Sequence, residues 1–360
     1  MLKPLTTQIV GSYAKPRWLA RHERLGTYDG SWWRPEPDVL DEAREDAVRL
    51  AVYEQERAGL DLVTDGEQQR SAYDRHFLLG MSGIDFEDLE AESIRDETET
   101  TRRRSADELG EFGRLLRLNP RVKHELRWRW PVAVDELRTL KRHARTPVKA
   151  NVPGPLTLAT RLSDGFYPDE EALVMALAAA LNEELKALDR EGAAVLQIDE
   201  PAFHGRLSLA RRVGVAAITR MVEGVLAPVI VHACYGYAIA FKFKEANPAY
   251  AEVLELLSSC PIAGISVEYE QPGHDPSLLR HCGDKHVLVG LLDLGSERVE
   301  SAEHVAARIR AALDVVPPER LHPCSDCGMW FIPRDRAFAK VSALVQGTSL
   351  VRRELHFASV

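Results

Sequence analysis

AVLQIDEP at residues 194–201 and PVIVHACYG at 228–236, with Ser208–Leu226 between them, decide the fold. Each is a short Val/Ile/Leu run that ends in polar or charged residues, and the stretch between them has apolar residues at intervals of three and four. Buried strand, amphipathic helix and buried strand, in that order, make a βα unit whose strands run parallel. Towards the C-terminus the pattern repeats in GISVEYE (264–270), HVLVGLLDL (286–294) and RLHPCSDCG (320–328). Towards the N-terminus it repeats in VKANVPG (148–154), GLDLVTDGE (59–67) and TTQIVGS (6–12). Helical periodicity covers Asp38–Gly59, Asp169–Gly192 and Ser301–Leu313, and several of these stretches stop at Gly or Pro just before the next strand. Eight such strands with helices between them are expected to close into an α/β (β/α)8 TIM barrel, one domain over residues 1–360.

Two stretches exceed the barrel repeat, so long insertions are expected after the first and second strands. Residues 13–37, with Trp18, Trp32 and Trp33, read as an ordered loop whose tryptophans pack. Residues 70–146 read as an acidic-to-basic helical region that includes LRWRWPV at 126–132. Loops after barrel strands shape the mouth of the site.

The 360 residues are 45% hydrophobic and 28% charged, ordinary globular composition with a formal charge of −9. No stretch has enough unopposed Lys or Arg to neutralise a run of phosphates, so no nucleic-acid partner is expected. Arg102, Arg103 and Arg104 are answered by Asp96, Glu97, Glu99, Asp107 and Glu108, which reads as a solvated helix face. The start has no basic-then-apolar signal pattern, and no apolar run approaches the roughly 18–20 residues of a membrane span. Five cysteines without scaffold spacing point to a reducing, cytoplasmic setting and no membrane.

Chemistry in such barrels sits at the C-terminal ends of the strands. Ser12, Asp65, Glu67, Asn151, Asp199, Glu200, His232, Cys234, Glu268, Asp293, Asp326 and Cys327 all fall there. His232-x-Cys234 projects two side chains from one strand face. With Cys327 they make an imidazole–dithiolate set suited to zinc, and Glu268 completes four ligands. Cys324 is a rival for the fourth place, giving a closed structural cage. Cys327 is favoured over Cys324 because glycine follows it in SDCG. Cys260 and Cys282 read as packing thiols, and His204, His274 and His322 as surface or loop residues.

At HAC (232–234), SVE (266–268) and SDCG (325–328) the sequence resembles the catalytic C-terminal domain of cobalamin-independent methionine synthase and its stand-alone relatives. IVGSY (9–13), DGEQ (65–68), VPGPLT (152–157) and QIDEPAF (197–203) extend the resemblance over most of the chain. It implies Zn2+ on His232, Cys234, Glu268 and Cys327, and homocysteine held by Gly11, Ser12, Glu67 and Asp199. Carboxylates at Glu67 and Asp199 suit an ammonium group, and Gly11 and Ser12 suit a carboxylate. The family's DIHS histidine, which assists the leaving folate, is replaced here by glycine in Asp293-Leu294-Gly295-Ser296. That leaves Asp293, acting through water, and Glu67 as the catalytic candidates. The implied reaction is methyl transfer to homocysteine, with methylfolate or a methylcorrinoid, including a corrinoid protein, as donor. Two other functions stay open: an epoxyalkane:coenzyme M transferase, in which Arg70, Arg75 and Lys149 would serve a sulfonate, and a non-enzymatic zinc-stabilised barrel.

Overall fold

A computed structural model of the chain describes residues 3–21, 31–91, 101–103, 118–236 and 241–356. In chain order the strands are β1 (Met81–Ala91), β2 (Thr101–Arg103), β3 (Leu118–Trp128), β4 (Lys149–Pro153), β5 (Ser163–Asp164), β6 (Val195–Asp199), β7 (Val229–Ala233), β8 (Phe241–Lys244), β9 (Gly264–Val267), β10 (His286–Gly290) and β11 (Leu321–Cys324). Six of them, β4-β6-β7-β9-β10-β11, form one parallel sheet in that spatial order.

The two N-terminal segments close it. Leu5 N–H donates to Leu321 O at 3.0 Å and Gln8 N–H to Pro323 O at 3.2 Å, placing the first segment beside β11. Thr7 O accepts from Asp61 and Leu62 N–H at 3.1 and 3.2 Å. Val63 then bridges Val148 in parallel, with Lys149 N–H donating to Val63 O at 2.9 Å. All eight expected segments therefore stand around a (β/α)8 barrel.

Side-chain alternation divides the core in two. Val10, Leu62, Val195, Ile230, Leu288 and Cys324 form an apolar layer inside the barrel. Their strand neighbours Leu196, Ile198, Val231, Val287, Val289 and Leu321 face the helices as part of the main core. The expected helices appear as Leu40–Ala58, Glu170–Glu191 and Ala302–Leu313. Asp169 and Ser301 cap the second and third through side chains that accept from Ala172 and His304 N–H. Gly59 and Gly192 end the first two with φ of 91° and 86°.

Three expectations are corrected. Residues 70–146 are chiefly β: β1 and β3 pair antiparallel, and the one α-helix in the described part is Val134–His143. The reason is visible in β3, where Val122, Leu126 and Trp128 alternate with exposed Lys123, Glu125 and Arg127, a period of two rather than 3.6. Arg102 and Arg103 lie on β2, paired antiparallel with β8, not on a helix, while Arg104 and the acidic residues around it lie outside the described residues. Finally, the Ser208–Leu226 helix is interrupted by a π-turn at Ala210–Gly214 and ends at Val222. There the Phe203 ring packs so close that a Cβ on Gly214 would lie 2.7 Å from it.

In the first insertion Trp32 and Trp33 are buried with Leu19, Ala20 and Ala47, whereas Trp18 is exposed. Residues 22–30 of that insertion lie outside the described part. Among the described residues no helix is long and apolar enough to cross a membrane.

Candidate active site and metal centre

The register of the sheet sets the polar residues level at the mouth: Asp199 pairs with His232, and His232 with Ser266. Ser12, Glu67, Tyr73, Asp199, His232, Cys234 and Cys327 line one cleft. The potential ligand atoms of His232, Cys234 and Cys327, all buried, lie within 4.8 Å of one another. The two sulfurs are 3.8 Å apart. That neighbour and burial hold the Cys234 thiol above its ordinary range, a penalty that a cation between the sulfurs removes.

His232 fits the same need. Burial pushes its pKa down to about 3, so the ring is neutral. Its Nδ1 lies 2.9 Å from Ser266 Oγ, and its Nε2 is buried without a hydrogen-bond partner. A metal at Nε2 requires the proton on Nδ1, where Ser266 Oγ accepts it. Ser266→Ala is therefore expected to weaken zinc affinity by about 10–100-fold, measured by chelator competition, with the fold intact.

The turn carrying Cys327 is fixed from both sides. Ser325 Oγ accepts from Val10 N–H at 3.0 Å and donates to Cys327 O at 3.0 Å. The Asp326 carboxylate accepts from Glu270 N–H at 3.1 Å and Gln271 N–H at 2.6 Å, tying the turn to the segment after β9.

Glu268 stands beside the trio but outside it. Its Oε1 accepts from Lys244 Nζ at 2.5 Å and its Oε2 from Tyr235 N–H at 2.8 Å. Cys324, the rival ligand, lies in the apolar layer inside the barrel and is not part of the trio. Glu270, two residues further on, is engaged by His304 and Arg308.

The other end of the cleft is acidic. Burial raises Asp199 to about 6 although Gln197 Nε2 and Asn151 Nδ2 donate to it at 2.7 and 3.2 Å. Burial raises Glu67 to about 8, against the pull of Arg70 and with Asp199 adding to the rise. Its Oε2 is buried without a hydrogen-bond partner, and its backbone adopts φ 55°. A non-glycine residue held there stores strain that the surroundings must maintain. Lys15 maintains it: its Nζ donates to Glu67 O at 2.7 Å and Gln68 O at 3.0 Å, and lies 4.9, 5.4 and 4.5 Å from the ring centroids of Trp32, Trp33 and Trp330. Gly11 is required beside it, since a Cβ there would lie 2.4 Å from Asn151 Nδ2 and 2.8 Å from Glu67 Oε1.

Other residues take different places from those expected. Asp293 is not among the residues lining the cleft, and its Oδ1 accepts from Gly295 and Ser296 N–H at 2.8 and 3.2 Å. His204, His274 and His322 are buried rather than superficial. His204 packs edge-on to Tyr235, His274 Nε2 lies 3.0 Å from Tyr235 Oη, and His322 stacks on His286. His322 lies inside β11, where the alternation that turns Cys324 into the barrel turns it inward too, while His204 and His274 lie in short connections that carry no long periodic signal. Tyr73 and Lys244 were missed for a similar reason, because both lie in stretches that read as connections. Cys260 and Cys282 are buried packing residues.

A sulfur-rich trio that could hold a metal and a pair of underneutralised carboxylates meet in one barrel mouth, as the parts of an enzyme's site would. The comparisons with known proteins agree. The family model described as the catalytic domain of cobalamin-independent synthase matches residues 117–349. The methionine synthase of Pyrococcus horikoshii is 30% identical over 98% of this chain and 94% of its own length. That of Thermococcus kodakarensis is 31% identical, with coverage of 98% and 94%. The B12-independent methionine synthase from Shewanella sp. W3-18-1, solved in complex with selenomethionine, superposes with a TM-score of 0.84 at 31% identity, covering 99% of this chain and all of that one (100%). The chain belongs to the cobalamin-independent methionine synthase family, and it is an enzyme of the methyltransferase class. The reading of a non-enzymatic barrel is thereby set aside.

Proposed function

We propose that the protein, working as one barrel domain, methylates the sulfur of homocysteine to give methionine, using one zinc ion. The observation that carries this reading is the acidic end of the cleft: Glu67, with its unpartnered Oε2, and Asp199 line the same cavity as the sulfur-rich trio. An α-ammonium between the two carboxylates would offset one of their charges and favour the ionised form of Glu67. Gly11 and Ser12 would take the α-carboxylate, and Ser12 lines the cleft. His232, Cys234 and Cys327 would hold the metal, with Glu268 as fourth ligand in the absence of substrate. Zinc there supplies the Lewis acidity that keeps a thiol deprotonated and nucleophilic at neutral pH.

A sulfonate-bearing thiol such as coenzyme M is poorly served. Arg70 is paired with buried Glu136 at 2.7 Å, and Arg75 donates to Leu118 O and Asn119 Oδ1 at 2.7 and 3.1 Å. Lys149 Nζ is consumed inside the barrel by Gln8 Oε1, Ile9 O and Gln197 Oε1 at 2.8, 2.7 and 2.7 Å. All three candidate cations are engaged.

Position 295 bears on the choice of donor. Gly295 cannot donate a proton, and a Cβ there would lie 2.5 Å from Gln271 Nε2, so the segment is not shaped around a side chain. A methylcorrinoid fits this better than methylfolate: the thiolate attacks the methyl carbon, the cobalt–carbon electron pair leaves with cobalt, and no proton is needed.

The test crosses homocysteine and coenzyme M with methylcobalamin, methylfolate and a simple epoxide on zinc-loaded protein, following thiol consumption. Consumption is expected with homocysteine and methylcobalamin. Consumption confined to coenzyme M with epoxide overturns the reading.

A further inference from the structure

The Lys244 side chain is fully buried, and its Nζ makes two close contacts, with Glu268 Oε1 at 2.5 Å and Gly236 O at 2.5 Å. It arrives at the end of β8, whose register pairs Lys244 with Thr101 of β2, so the long second insertion braces the strand that carries it. The Glu268 backbone is pinned independently: its N–H donates to Tyr250 Oη at 3.1 Å, and that hydroxyl donates to Ala233 O at 2.5 Å. The main chain is thereby fixed to the strand of His232 and Cys234, and movement is left to the carboxylate alone. The trio of His232, Cys234 and Cys327 converges without Glu268. Three protein ligands and one exchangeable position is the arrangement of catalytic zinc sites.

Resting on the zinc reading above, we infer that Lys244 is a positioning residue that receives the Glu268 carboxylate when the substrate thiol takes its place at the metal. A carboxylate set free in a fully buried site needs a partner, because an unpaired buried charge is strongly disfavoured. Lys244 is that partner, and Tyr235 N–H holds the second oxygen at 2.8 Å. The exchange thus moves one negative charge from ligand to ion pair without exposing it to an apolar wall. Thiol entry is favoured by a residue that touches neither thiol nor metal.

The test measures calorimetric binding of homocysteine and of 2-aminobutyrate, which is homocysteine without its sulfur, to zinc-loaded wild type, Lys244→Met, Lys244→Gln and the double variant Lys244→Met with Glu268→Gln. Cobalt-substituted proteins report thiol arrival by absorption. Lys244→Met is expected to weaken homocysteine by about tenfold or more, the scale of removing one partner of a buried pair. It should leave 2-aminobutyrate within about twofold, because the amino-acid end of the cleft is unchanged. The double variant should recover homocysteine binding, having no carboxylate to rehouse. Lys244→Gln, which keeps a donor, should fall between, and it carries the test if the Met side chain fails to pack. Equal loss of both ligands, wild-type homocysteine affinity in Lys244→Met, or no recovery in the double variant overturns the inference. Wild-type protein that takes up no zinc or binds no homocysteine sinks the underlying reading instead, and is told apart because it fails before any substitution is made.

Discussion

Cys234→Ala and Cys327→Ser are each expected to lose stoichiometric zinc and turnover together. Each removes one thiolate from a trio whose sulfurs are 3.8 Å apart and whose imidazole nitrogen has no other partner. A site left with imidazole and one sulfur lacks the soft ligand set that selects zinc. Since altering even an outer residue of a zinc site costs about 10–100-fold in affinity or activity, loss of a direct ligand should exceed about a hundredfold. Metal content by atomic emission after dialysis, and turnover on the same samples, check this. Full tight metal in both variants would falsify the ligand assignment. Both cysteines lie at the edge of the main core, and Cys→Ala and Cys→Ser remove little volume, so the variants should remain folded.

The second large effect concerns Glu67→Gln. The amide resembles the protonated carboxyl that burial favours in the empty site, so the fold should tolerate it. It cannot ion-pair with an ammonium, and losing one partner of a buried charge pair costs about 3–5 kcal/mol, or roughly 10²–10⁴ in kcat/KM for homocysteine. The pH dependence carries a definite sign. With Glu67 raised from 4.5 to about 8, the empty protein holds a proton at neutral pH that amino-acid binding expels. Apparent affinity should therefore climb as pH rises through about 6 to 8 and level off above that, while Glu67→Gln flattens the profile. For the ligand-free protein the same shift runs the other way: the unfolded chain ionises first, so this group's contribution to stability falls as pH rises from 4.5 towards about 8. Calorimetry in buffers of different ionisation enthalpy counts the released proton, and release undiminished in Glu67→Gln would show that another group supplies it.

The barrel was legible because most of its buried parallel strands are short Val/Ile/Leu runs, with KANVP and LHPC the exceptions, and the segments end in polar residues. PVIVHACYG shows it best: the alternation that sends Val229 and Val231 to the helices sends His232 and Cys234 inward. The second insertion was misread because its charges masked a two-residue period in β3, and charge density looks the same on a solvated helix and a twisted hairpin. Glu268 was named from its strand position, but its Lys244 partner lies on a strand held through β2, a pairing across the long insertion that local sequence does not encode. Asp293 was named by analogy with a neighbouring position, and the loop uses its carboxylate for its own turn.

The tryptophan cage around Lys15 bears on substrate length. Trp330 follows closely on Cys327, while Trp32 and Trp33 come from the first insertion, and the Lys15 amino group they enclose grips the peptide of Glu67. The proposed anchor for the amine and the proposed anchor for sulfur are thus tied to one another through Lys15 and the three rings, like the jaws of a fixed caliper. On the proposed reading, a thiol amino acid one methylene shorter would seat one end or the other, and chain-length selectivity would come from the fixed spacing rather than from an added wall.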